Sequence, residues 1–297
     1  MTEGTAVTQP HLDPHRRHDA VLLFDVTDGN PNGDPDAGNQ PRTDTETSQG
    51  LVTDVCLKRK IRDQIPLIHP DKPRYKIFVE ADIALNANIK RGFEATGTPL
   101  TKQTSPQQRG DVQQWLCNEF FDIRMFGGVV GTGDGNAGRI RGPLQLTFAR
   151  SISPVLAQAH AITRITQTTE KDIESGESTE MGSKWTVHYG LYRAYIHYSA
   201  TRGIQTGVSE EDLATFWTTL ENLFEHDRAS GRGEMDVKGL YVFSHDNAYG
   251  RARASQLFKH VAVQQLDGVV TPRSIDDYKL DVNHDGLPDG VTLKALV

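Results

Sequence analysis

The chain has 297 residues, 39 Asp and Glu against 32 Lys and Arg, and a formal charge of −7. That length accommodates one elaborated domain or two ordinary ones, and the acidic balance does not announce a nucleic-acid binder. No apolar run approaches the length of a membrane span. The two cysteines, Cys56 and Cys117, are too far apart for a zinc knuckle or a disulfide scaffold and fit a reducing cytosol.

Residues 1–17 are polar, contain prolines and lack the apolar stretch of a signal peptide, so they read as a flexible tail. His11, His15, His18 and the distant His69 share no ligand spacing, which favours solvated side chains. "AVLLFDV" (20–26) reads as a buried strand, and "TSQGLVTDVCLKRKIRDQI" (47–65) as a helix ended by Pro66. "YKIFVEADIAL" reads as extended. Ser105 and Pro106 then start a helix whose apolar stripe is Val112, Leu116, Phe120 and Ile123. A Gly-rich turn (127–142) leads into "PLQLTFARSI", where Leu144, Leu146 and Phe148 alternate as in a half-buried strand. Residues 154–184 form a polar, Thr- and Ser-rich excursion with little to bury. "WTVHYGLYRAYIHYSA" resumes as a long strand. Ser209 caps a helix over 209–228 with the stripe Leu213, Phe216, Leu220, Leu223 and Phe224, and "KGLYVFSH" (238–245) is a further strand. With the excursions removed, the order is strand, helix, strand, strand, helix, strand. That is an α+β fold with a ferredoxin-like βαββαβ core, as in RNA-recognition modules.

The loop after the first strand imitates a calcium site. Asp28, Asn30, Asn32, Gly33, Asp34, Asp36 and Asn39 stand at EF-hand spacings, but Asn39 replaces the closing bidentate Glu and a strand replaces the entering helix. Residues 281–292 share the fault, with Thr292 at the closing position. "GTGDGNAG" carries Gly133, Gly135 and Gly138 in a dinucleotide-like spacing, yet Gly142-Pro143 and a strand follow where a helix is needed. No nucleophile motif occurs. Acids gather at 210–236 and 276–289, and bases at 58–62, 138–142 and 250–255, which leaves a face of mixed sign open. Lys58 and Arg62 point nearly the same way on their helix, with Arg59 and Lys60 elsewhere around it. Alone this is a solvated basic face; after a loop rich in backbone N–H groups it is a phosphate-binding edge.

"VLLFDVTDGNPNGDPDAGNQPRTD" followed by "GLVTDVCLKRKIRD" resembles the first strand, loop and helix of the backbone subunit of type I-C CRISPR Cascade. "IRMFGG" (123–128), "RGPLQLTFARSISPV" (141–155) and "GLYVFSHD" (239–246) resemble further blocks of that family in the same order, from about residue 18 to the C-terminus. "NAYGRARASQLF" departs from the related glycine loop at Arg251 and Arg253. The family belongs to a repeat-associated RNA-binding superfamily. The resemblance implies one RRM-like domain over 18–297, with a helical finger insertion at 66–140 and a β-hairpin thumb at 154–184. It implies a non-catalytic protein, without cofactor or metal, that polymerises along CRISPR RNA in the cytoplasm and presents it to a target DNA strand in antiviral defence. The implied partners are further copies of the chain and the other Cascade subunits, namely the 5′-handle-binding and processing subunit, the large subunit and the small subunits, with no membrane. The implied RNA-binding residues are Asn30, Asn32, Gly33 and Arg42 in the loop and Lys58, Arg59, Lys60 and Arg62 on the helix. Gly127, Gly128, Arg139 and Arg141 in the finger and Arg164, Lys171 and Lys184 in the thumb complete the set. Asp28, Asp34 and Asp36 are expected to hold the loop or pair with bases such as Arg42. The alternative is a metal-dependent ribonuclease of the same superfamily that cuts guide-paired RNA, with loop carboxylates holding the metal.

Overall fold

A computed structural model describes residues 9–101, 104–132, 135–165, 169–174 and 180–297. The run Ala20–Phe24 is apolar without alternation because β1 (His18–Gly29) is covered on both faces. The loop after it carries the short pair β2 (Gly33–Asp34) and β3 (Gln40–Pro41), then β4 (Gln49–Val52) and α1 (Asp54–Ile68). Next come α2 (Leu85–Ala95), α3 (Pro106–Glu119), α4 (Phe121–Phe126) and the hairpin β5 (Gly127–Thr132) and β6 (Gly135–Arg141). The chain returns through β7 (Leu144–Leu146) and β8 (Ala149–Pro154), then extends as β9 (Ala157–Arg164), α5 (Glu170–Glu174) and the long β10 (Glu180–Tyr198). It closes with α6 (Ala200–Thr206), α7 (Glu210–Glu221), β11 (Glu234–His245), α8 (Ala254–Leu257), β12 (Val261–Gln265), β13 (Tyr278–Val282) and β14 (Val291–Ala295).

The main sheet runs β14–β11–β1–β10–β8–β4, with β7 and β9 also pairing to β10. β1 is antiparallel to both β10 and β11, and β10 to β8. The four central strands in chain order, β1, β8, β10 and β11, therefore lie as fourth, first, third, second. α1 follows the first, and α7 joins the third to the fourth. This is the split βαβ arrangement expected from the order of elements.

Leu57, Ile61 and Ile65 of α1 and Leu213, Phe216 and Leu220 of α7 pack on one sheet face against Leu22, Phe24, Tyr192 and Ile196. The β12–β13 ribbon covers part of the other face, placing Val261, Val263 and Tyr278 over Val21, Leu23 and Leu191. Residues 78–140 have a core of their own, including Phe78, Phe93, Leu116 and Phe120. One buried ion pair ties that insertion to α7. Arg124 donates to Asp212 through Nη2 at 2.6 Å and Nε at 3.0 Å, and Asp212 also closes the capping box with Ser209.

Several local expectations are corrected. α1 starts at Asp54, with Thr53 accepting from the Cys56 N–H at 3.2 Å; residues 49–52 are strand β4, because the Gly50 N–H and the sheet edge meet Ser151 and β8. Pro66 lies inside the last turn, and the helix continues to Ile68. "YKIFVEADIAL" holds a single bridge, Lys76 to Phe120; the Asp122 carboxylate, not a neighbouring strand, takes the N–H groups of Phe78 and Val79 at 2.7 and 3.1 Å. The turn at 127–142 is a hairpin. A side chain at Gly127, at φ +72, would meet Ile140 O at 2.4 Å, so only glycine fits. Gly135 and Gly138 lie in its second strand, while Gly133 lies outside the described residues. Residues 9–17 are not a free tail: Trp217 Nε1 donates to His11 O at 2.9 Å, Tyr198 Oη to Pro14 O at 3.0 Å, and His11 and His18 are buried. Residues 1–8 lie outside the described residues. Phe148 is half-exposed because the strand breaks between β7 and β8, where Thr147 hydrogen-bonds Tyr195. At 154–184, β9 pairs with the first half of β10 from Arg164 opposite Glu180 to Ala157 opposite Val187; residues 166–168 and 175–179 lie outside the described residues. Among the described residues no helix is long and apolar enough to cross a membrane.

Candidate nucleic-acid interface

The loop between β1 and β4 is held by its own polar groups. Asn30 Nδ2 donates to Asn39 O at 2.7 Å, and Asn32 Oδ1 accepts from the Thr53 N–H and hydroxyl, both at 3.0 Å, which fastens the loop to the start of α1. A side chain at Gly33 would lie 1.9 Å from Asn39 Oδ1. The turn itself is left-handed, with Gly38 at φ +60 and Asn39 at φ +62, where Gly and Asn are the tolerated residues. Two of the three loop acids act as braces: Asp34 accepts from the Asp36 N–H at 3.1 Å and pairs with Arg42 at 3.3 Å, and Asp28 meets His188 Nδ1 at 3.1 Å, whereas Asp36 contributes its backbone N–H.

Two grooves flank this loop. One, of about 260 Å³, lies between Asn30, Gly33 and Gly38 and the base of the β9–β10 arm at Ser183, Lys184 and Trp185. The other, of about 620 Å³, runs from Asn32 and Arg42 past Arg59 to Phe148. Gly33, Asn39 and Arg232 line both. Among the described residues four buried side-chain polar atoms lack a hydrogen-bond partner, and three of them, Asn30 Oδ1, Arg42 Nε and Arg232 Nε, belong to residues lining these grooves. Arg232 Nε lies 2.9 Å from Asp227 Oδ2, close enough for an ion pair but outside hydrogen-bonding geometry. Buried polar atoms are ordinarily satisfied, so this concentration sets the loop apart from the rest of the described residues.

The bases of α1 divide differently from the expected edge. Arg59 pairs with Asp63 at 2.8 Å on the surface and lines the larger groove. Lys58 pairs with Asp54 at 2.9 Å and lies over the Phe126 ring, on the side facing α4. Arg62 pairs with the fully buried Asp122 at 2.8 Å. Lys60 is 2 % exposed, contacts Asp227, and burial lowers its pKa against the opposing pull of that carboxylate. Arg62 therefore serves the packing of α1, whereas Lys60, though buried, lines the larger groove together with Asp227 and Arg232. The expected edge of Lys58 and Arg62 is turned toward protein, since both lie over the Phe126 ring and pair with Asp54 and Asp122.

Asn30, Asn32, Gly33, Arg42, Arg59, Lys60 and Lys184 are brought together around the loop. Gly127, Gly128, Arg139 and Arg141 sit apart on the β5–β6 hairpin, where both arginines are exposed. Arg164 and Lys171 sit farther out on the arm, Arg164 beside Ile162 and Met181. Trp185, Arg232 and Phe148 were not singled out in the sequence. Phe148 passes for a core residue by alternation, and Arg232 carries only the weak signal of flanking glycines in "SGRG". Arg251 is a brace, donating to Asp246 at 2.7 and 2.8 Å and holding that carboxyl down to about 2, while Arg253 stands at the N-cap of α8.

A family profile described as CRISPR-associated protein Cas7 matches residues 16–283. The chain belongs to that family. Over 122 residues it is 31% identical to the CRISPR-associated protein Cas7 of Haloferax volcanii; the match covers 38% of this chain and 32% of that protein, so the chain spans about a third of the length of this curated relative. Among solved structures, a chain described as a CRISPR RNA-guided surveillance complex, pre-nicking, aligns at 11% identity and a TM-score of 0.46, covering 76% of this chain and 78% of that one. A chain of the Type III-B Cmr-beta bound to cognate target RNA aligns at 9% identity and a TM-score of 0.42, covering 76% and 61%.

Proposed function

We propose that this chain is a non-catalytic, cytoplasmic backbone subunit of a type I-C CRISPR Cascade, which polymerises along CRISPR RNA and presents it for pairing with a target DNA strand. Family membership supports the class. The single observation that carries the site is the grouping of Asn30, Lys184 and Arg232 around a glycine-tight loop at the base of an exposed arm. Lys184, Arg42 and Arg59 neutralise phosphates there, Gly33 leaves room for the Asn39 side chain and so keeps the loop compact beneath the guide, and Asn30 and Arg232 line the groove walls. The β9–β10 arm acts as the thumb over the guide, and residues 66–140 as the finger. Protein contacts of this kind grip backbone and shape and leave base edges for pairing. Further copies of the chain and the remaining Cascade subunits are the partners, with no cofactor or metal.

Protein purified from its host is expected to carry a short RNA of uniform length. Lys184→Ala combined with Arg42→Ala should weaken RNA binding equally for unrelated spacer sequences. The slope of log affinity against log salt should flatten by about 1.4, since each single-strand phosphate left without its cation accounts for about 0.7. Weakening confined to one spacer sequence would assign these residues to base reading. Magnesium-dependent cleavage of guide-paired RNA, abolished by Asp34→Ala, would replace the proposal with a ribonuclease.

A further inference from the structure

Three acids line the larger groove beside the loop: Asp54, Asp63 and Asp227. Asp54 and Asp63 each pair with one base of α1, Lys58 and Arg59 respectively. Asp227 holds two cations: the Lys60 ammonium contacts its Oδ2, and Arg232 Nε lies 2.9 Å from the same oxygen. The two cations are not equivalent. Lys60 is buried, with its ammonium 5.4 Å from the Phe224 ring centroid. The Arg232 side chain is 36% exposed and lines both grooves, and its terminal nitrogens make no hydrogen bond among the described residues. The segment carrying it is fixed in place, since the Asn30 N–H donates to Gly231 O at 2.8 Å and the Arg232 N–H to Ala229 O at 2.9 Å.

Stability alone does not call for Lys60. Taking an ammonium out of water is costly, and an apolar side chain of similar volume would fill the same space without that cost. One cation would also suffice to neutralise Asp227. With Lys60 on its buried side, the carboxylate is already matched, and the surplus positive charge of the trio sits on Arg232, where the two grooves meet. Without Lys60, the carboxylate would hold Arg232 for itself and repel a phosphate arriving beside it.

We propose that Lys60 is a positioning residue for the loop site: it neutralises Asp227 from the protein side, so that Arg232 turns its guanidinium to a guide phosphate. Lys60 itself touches no RNA. The inference rests on the reading of the loop as the guide site. The test titrates the full chain with fluorescently labelled oligo-rU over a range of salt concentrations. Lys60→Met should weaken binding roughly fourfold near 0.15 M salt and flatten the slope of log affinity against log salt by about 0.7, the signature of one lost phosphate contact. Arg232→Ala should do the same. Adding Asp227→Asn to Lys60→Met should restore both affinity and slope, because Arg232 is then released. Failure of that rescue would overturn the proposal, since Lys60 would then be meeting phosphate itself. A Lys60→Met variant that melts earlier but keeps the parent slope would also overturn it, leaving Lys60 a packing residue. A flattened slope in the Arg42/Lys184 variant with none in Lys60→Met would overturn this inference and leave the loop reading standing. No change in either variant would remove the loop reading and the inference together.

Discussion

From Val187 to Tyr198, β10 runs against β1, and its Tyr192, Ala194, Ile196 and Tyr198 are at most 1% exposed. From Glu180 to Thr186 the same strand pairs with β9, and there Met181 is 76% exposed and Ile162 opposite Gly182 is 50% exposed. The hydrogen-bonded ladder is continuous across the boundary. What changes is whether anything packs on the faces, and burial rather than pairing supplies most of the driving force for folding. The inner half is body; the outer half is an arm that the body carries.

The sharpest contrast comes from breaking the body. Asp212→Ala leaves Arg124 buried without its carboxylate and removes the capping box of α7, so stability should fall by about 3–5 kcal/mol. Denaturant unfolding measures it; a loss below about 1 kcal/mol would show that the insertion and α7 are not tied through this pair.

A second effect comes from His18, which burial holds down to about 4 from the ordinary histidine value of 6.5. The unfolded chain takes up this proton first as pH falls, so stability is full above 6.5 and is lost on the way down to 4, by about 3 kcal/mol. Its neighbour Asp19 would be raised by burial, but hydrogen bonds from His197 and His245 and the charge of Arg17 bring it to about 2. That carboxylate adds a further loss only between 3.8 and 2. His18→Gln should flatten the pH dependence between 6.5 and 4, and an unchanged profile would place the acid sensitivity elsewhere.

The smallest effect on folding should come from the arm. Replacing residues 158–183 by a short Gly/Ser linker should change stability by no more than about 0.5 kcal/mol, because few of these side chains are buried against the body. Nuclease protection of a bound guide should lose its periodic pattern in the same variant. A large fall in melting temperature would erase the distinction between arm and body.

The main elements of the body were legible because their signals are local. The unbroken apolar run of β1 announces two covered faces, Ser209 with Asp212 announces the start of α7, and the Asn, Gly and Asp of the opening loop announce tight turns. The grouping of Asn30, Gly33 and Arg42 follows from the same loop. The directions of Lys60 and Arg62 were not legible. Helical phase gives their angle to each other, but their partners Asp227 and Asp122 come from distant segments, and only the assembled fold shows which faces of α1 are occupied. Phe148 misled for a related reason: alternation predicts a buried ring only while the strand continues, and here it breaks one residue earlier. Strand β4 was hidden within a helix-like run, since four residues are too few to show a period.

The shared strand also has a mechanical consequence. β10 passes from the arm into the middle of the sheet without a joint, registered against β1 from Val187 to Tyr198 and against β7 and β8 on its other side. A pull on the arm along its length therefore loads these ladders in shear, with many hydrogen bonds resisting together, whereas a sideways pull would peel them one at a time. Tension in whatever the arm holds is delivered to the centre of the body along the direction in which a sheet is strongest.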